Sequence, residues 1–214
     1  MNYLTGLFVI LASHSVDTMI ANDFVNPIKK ITVQAITYDE IHDQAVFNCP
    51  FAKPSTNKQK IIEQLIEVEK KHNLPVELRG MLLAAACHES GYNTKAEGDR
   101  KFSKLKKPMA KGLFQMWPWW EKTYKIDRGS TQQAADAYLK HVKKMIPKVK
   151  RACKTRSDKK TWLTAWATAI RAPKKDGRCG EQPKFTYILN RWHKNIKKER
   201  KAAADCDGSD GCGC

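Results

Sequence analysis

Glu89 is the residue best placed by type and spacing to carry out acid catalysis. From Leu78 the apolar positions Leu82 and Ala85 lead at helical spacing to Glu89, so its carboxyl ends an apolar stripe. Burying a carboxylate is costly, and its pKa rises in response. The C-terminal end of a helix carries negative potential, which pushes in the same direction. A carboxylic acid that keeps its proton near neutral pH can deliver it to a leaving oxygen, as glycosidic cleavage requires. The competing reading is a glutamate turned outward toward a surface lysine.

Asp99, in Gly98-Asp99-Arg100, is the candidate second carboxylate close behind it. A base that holds water for an inverting hydrolysis stands about 6.5–9.5 Å from the acid, and Asp99 is the candidate for that role. Its plain alternative is a turn residue bonding its own backbone. Trp117, Trp119 and Trp120 follow, and indole faces suit sugar C–H surfaces as well as a core. No histidine or cysteine spacing matches a zinc ribbon or finger, so no metal and no cofactor is expected.

The elements that must position these residues read as helical. Ile61, Ile62, Leu65 and Ile66 mark one helix ending near His72, and Pro75 opens the one that runs to Glu89 and stops at Gly91. Residues 91–130 are broken by glycine and proline into loops. Ser130 or Thr131 caps a third helix that Pro147 should kink, and Asp158 caps a fourth. Pro183 opens a fifth, with Phe185, Ile188, Leu189, Trp192 and Ile196 facing inward. The expected class is mostly α, with the domain over residues 57–200. Residues 22–56 read as an irregular or short-stranded leader, pro-segment or N-terminal extension. Residues 201–214 read as a tail rich in Cys, Gly and Asp.

The chain has 214 residues, with 39 Lys and Arg against 22 Asp and Glu, a net charge of +17. That excess predicts an anionic partner, whether wall polymer, lipid surface or nucleic acid. It is concentrated in Lys101, Lys104, Lys106, Lys107 and Lys111, and in Lys143, Lys144, Lys148 and Lys150; a merely solvated face is the alternative. Leu4 to Ala12 is an apolar run of export-signal length, so residues 1–21 are expected to be a signal peptide; a buried strand is the other reading. No run reaches the ~18–20 apolar residues of a bilayer span. Seven cysteines in an exported chain imply disulfides, with Cys153 and Cys179 the preferred pair because they flank one predicted helix.

Three short motifs in order, Glu89-Ser90-Gly91-Tyr92-Asn93, then Gly98-Asp99-Arg100, then Gly112-Leu113-Phe114-Gln115-Met116, resemble the lysozyme-like superfamily. Soluble lytic transglycosylases and goose-type lysozymes are the most similar families, over about residues 60–195. The resemblance implies a lysozyme-like helical domain with a loop-rich substrate cleft, acting on the glycan strands of peptidoglycan. It makes Glu89 the acid/base and Ser90 the support of its carboxyl. Gln115 and Met116 become the floor that contacts sugar and peptide. Glu181 to Leu189 resembles the late family pattern, which makes Tyr187 the tyrosine near the catalytic glutamate.

Two departures stand out. A basic insertion, Arg100 to Lys111, lengthens the link after Asp99. The family's Ala-Tyr-Asn-x-Gly is replaced by Ala165 to Pro173, where Arg171 is the candidate substitute contact. Trp117 stands where goose-type enzymes carry an acid, which favours a lytic transglycosylase making 1,6-anhydro ends over a hydrolase using Glu89 and Asp99. Export implies a secreted or periplasmic protein, expected to be a monomer. The readings from other classes are a lysozyme-like scaffold that binds glycan without cutting it, and a basic protein that binds nucleic acid or membrane. No helix-turn-helix, zinc finger or RNP signature supports nucleic acid.

Overall fold

The computed structural model describes residues 34–52, 57–169 and 179–207, and the described residues from Ala35 onward form one compact unit. Among the described residues it is mostly α, with seven α-helices and one two-stranded ribbon: α1 Tyr38–Phe47, α2 Lys58–Lys71, α3 Met81–Ser90, β1 Glu97–Gly98, β2 Ala110–Lys111, α4 Trp119–Tyr124, α5 Thr131–Cys153, α6 Asp158–Ala167 and α7 Thr186–Asp207. None of these helices is long and apolar enough to cross a membrane.

Helix α3 is the centre. Met81 through Cys87 are all buried, as befits a helix apolar all round, and α1, α2 and α7 pack against it. Gly80 precedes it at φ 87° and has no side chain to cap the first turn. The extended ψ of Arg79 (130°) ends the short 3-10 turn Val76–Leu78 just before it, so the single helix expected from Pro75 is divided in two. At the other end Gly91 takes φ 59°. A Cβ there would collide with the Phe51 carbonyl, so the helix must stop on glycine.

The expectation for residues 22–56 needs correction. Residues 38–47 form α1, packed on α2, α3 and α7, so the compact unit starts well before residue 57. A capping box begins it: the Thr37 hydroxyl accepts from the Glu40 amide (3.3 Å), and Glu40 accepts from the Thr37 amide (2.8 Å). Arg200 of α7 grips the same Glu40 carboxylate at 2.6 Å and holds its pKa down near about 2.

The other helices follow their stripes. Ser130 caps α5 through the Gln133 amide, and Ser157, one residue before the expected Asp158, caps α6. Pro147 lies inside α5. Phe185, Ile188, Leu189, Trp192 and Ile196 are buried as expected. Disulfides join Cys153 to Cys179, the preferred pair, and Cys49 to Cys87, a bond the sequence did not point to. Both are compatible with an oxidising extracellular setting. Cys212, Cys214 and the expected signal segment lie outside the described residues.

Candidate functional site

Glu89 occupies the last turn of α3. The residue is exposed, yet enough protein flanks its carboxyl to strip hydration. That desolvation pushes its pKa above the ordinary carboxylate range. The Lys184 ammonium pulls it back, and the Asp99 carboxylate pushes it further up. Among the described residues no hydrogen bond holds this carboxyl. The arrangement is an accessible carboxyl whose ionisation is opposed chiefly by desolvation.

Asp99 reaches the site from the ribbon. It sits after β1 in a left-handed conformation, φ 57°, and makes no capping bond to the turn that follows. Its Oδ2 instead accepts the Trp117 indole N–H at 2.9 Å. The Asx-turn alternative therefore does not describe its side chain. Trp117 is half-buried, with its ring 5.7 Å from that of Phe102.

Gln115 is half-buried and left-handed at φ 47°. Its amide donates to the Gly112 carbonyl at 3.0 Å, and its Oε1 lies against Gly98. A Cβ on Gly98 would be 2.5 Å from that oxygen, so a side chain there would displace the Gln115 amide. Met116 is a correction to the expected contact floor. It is 1% exposed and lies in the core, turned inward because its backbone pairs with Lys111 in both directions at 3.0 Å. Ser90 also departs from its expected part. Its hydroxyl proton goes to the Ala86 carbonyl at 3.0 Å, one turn back, and so is not available to the Glu89 carboxyl.

Tyr187 is 48% exposed and stands edge-on to His88, centroids 6.1 Å apart, with Phe51 on His88 at 5.7 Å. The tyrosine thus lies beside the immediate neighbour of Glu89. Arg171 lies outside the described residues. Trp120 is core, 1% exposed and stacked on Tyr138, while Trp119 is half-buried on top of it.

Three residues escaped the sequence reading. Tyr138 is close enough to Glu89 for that charge to help raise its pKa, after burial. Lys184 faces both Glu89 and His88. His88 keeps a buried Nδ1 with no hydrogen-bond partner among the described residues, and burial, then Lys184, lowers its pKa. The signal for His88 was its place beside Glu89; nothing marked Lys184.

No family model, curated protein or solved structure matches this chain. The functional reading therefore rests on the motifs and on this geometry.

Proposed function

We propose that the chain cleaves the glycan strands of peptidoglycan between the alternating amino sugars, as an exported lytic transglycosylase with Glu89 as its single acid/base. The observation that carries the reading is an accessible Glu89 carboxyl held above its ordinary pKa by desolvation, with no hydrogen bond committing it to the fold. In the reaction the Glu89 proton passes to the glycosidic oxygen as the bond from the anomeric carbon breaks. The resulting carboxylate takes the proton of the sugar's 6-hydroxyl, whose oxygen closes on that carbon. No water is consumed, Glu89 returns to its starting form, and the product carries a 1,6-anhydro end. Gln115, beside Gly98, Trp117, on Asp99, and Tyr187, on His88, are the side chains this reading assigns to glycan contact.

One observation favours a second reading. Asp99 lies within electrostatic reach of Glu89 with its carboxylate oriented by the Trp117 indole, an arrangement that suits a base holding water. The chain would then be a goose-type-like lysozyme. Digestion of purified sacculi followed by product mass analysis separates the two, since anhydro ends and reducing ends differ by one water. Wild-type protein that releases nothing, with Glu89→Gln identical to it, would refute both and leave a glycan-binding scaffold.

A further inference from the structure

The ribbon carries a knob whose chemistry the glycan reading does not use. Between β1 and β2, residues 100–107 read Arg-Lys-Phe-Ser-Lys-Leu-Lys-Lys, five cations and no acid in eight residues. The segment is folded on itself. The Phe102 amide donates to Asp99 at 3.1 Å, Lys106 to Ser103 at 3.0 Å, and Met109 closes the base on Gly98 at 3.1 Å. Arg100 turns back to Glu97 at 2.8 Å, while Lys101, Lys104, Lys106 and Lys107 point into solvent. Among them stand Phe102 at 58% exposure and Leu105 at 75%. The Lys101 ammonium lies 5.0 Å from the Phe102 ring centroid.

We propose that this knob is an interfacial anchor for anionic lipid bilayers. Four ammonium groups ringing two large exposed apolar side chains match the two layers of a membrane surface. Lysine heads meet phosphates while Phe102 and Leu105 enter the acyl boundary. Each lysine near an anionic leaflet raises partitioning about fivefold. A soluble polyanion would use the same lysines but gives an exposed Phe and Leu nothing to bury against, so the apolar pair favours the bilayer. The hydrogen-bonded turns hold the tip in shape before contact, which lowers the ordering cost of docking.

The test uses the full chain and vesicles of phosphatidylcholine with about one part in four phosphatidylglycerol, read by co-sedimentation against pure phosphatidylcholine. Binding is expected only with the anionic lipid. Phe102→Ser with Leu105→Ser, which leaves the charge unchanged, should lower the partition coefficient by at least about tenfold. Lys104→Gln with Lys106→Gln should cost more than the charge-matched pair Lys197→Gln with Lys198→Gln on α7. Wild-type binding by the Phe102/Leu105 variant would overturn the anchor, as would equal losses from the two lysine pairs. Tight capture of soluble teichoic-acid polymer with no vesicle binding would overturn it too, and assign the knob to wall polyanions. Glycan digestion is not an input to any of these measurements, so they stand or fall apart from the catalytic reading.

Discussion

Helix α3 has a desolvated glutamate at each end, and the two are held in opposite ways. Glu69, from α2, is wholly buried, and its oxygens accept the amides of Gly80 (2.8 Å) and Leu82 (2.6 Å). It closes the helix start that Gly80 has no side chain to cap, at the positive end of the dipole. Burial pushes its pKa up to about 8, with the two amides and Arg79 working against that rise. Glu89, at the negative end, is raised by the same cause, but no amide holds it and solvent reaches it. Desolvation alone therefore does not mark a reactive carboxyl. The available one is dehydrated, reachable and without hydrogen-bond commitments.

The sharpest way to break this contrast is to make the same substitution at both ends. Glu89→Gln fills the same space without a transferable proton, so cleavage of sacculi should fall by at least about 10²–10⁴-fold. Its unfolding midpoint should be unchanged. Glu69→Gln should show the converse, losing stability while folded molecules keep their turnover. If Glu89→Gln retains a tenth of wild-type activity, Glu89 is not the acid/base.

The two ends are also anchored differently, which gives a second test. Cys87, two residues before Glu89, is bonded to Cys49 across 38 residues, while the Glu69 end relies on hydrogen bonds. Replacing both cysteines with alanine should cost about 4 kcal/mol at most, from the loop-closure entropy returned to the unfolded chain. Denaturant midpoints measure it. A cost below that of Glu69→Gln would mean that the Glu89 end is held by packing and that the bond is incidental.

The Glu69 end has its own pH signature. Its folded pKa, about 8, lies above the ordinary 4.5, so the folded state binds the proton more tightly. Its contribution is fully present below about pH 4.5 and is lost as pH rises through about 8. Chemical denaturation at points across that window should show falling stability in wild type and a flatter profile in Glu69→Gln. That variant should also sit lower by about 1–3 kcal/mol at acid pH, because one backbone amide loses its acceptor. A wild-type profile that rises with pH would refute the assignment.

Much of this contrast could be read in the residues, but only at one end. Leu78, Leu82 and Ala85 aim Glu89 at the end of an apolar row, so it was legible from periodicity, whereas Tyr187 was singled out by the motif resemblance. Glu69 follows Leu65 on the α2 stripe, yet one carboxylate among the charged residues of that helix reads as surface until the unpaired amides beyond Gly80 are known. Those amides lie at and just beyond a left-handed glycine eleven residues on, a tertiary fact. Helix α1 was missed because its buried apolar residues are only Ile41 and Ala45; the Thr37–Glu40 capping box was its usable sign. Met116 was misjudged because motif resemblance does not report side-chain direction. The ribbon pairing with Lys111 turns it inward and leaves Gln115 at the surface.

The finest test concerns the charges facing Glu89, because Lys184 and Asp99 act on it with opposite sign. The working form of Glu89 is protonated, so activity should fall as pH rises through its pKa. Lys184→Gln removes a positive charge that favours the carboxylate; the pKa rises further and the alkaline limb should move to higher pH. Asp99→Asn removes a negative charge that opposes ionisation; the pKa falls and the limb should move to lower pH. The Asn oxygen can still accept from Trp117, so the loop should keep its shape. In the transglycosylase reading Asp99→Asn changes the limb and little else, and the products keep their anhydro ends. If Asp99 instead activates water, the same change should lower the rate by about 10²–10⁴-fold at every pH, and wild-type products should carry reducing ends. Limbs that move the same way in both variants would show that neither charge reaches Glu89 during turnover.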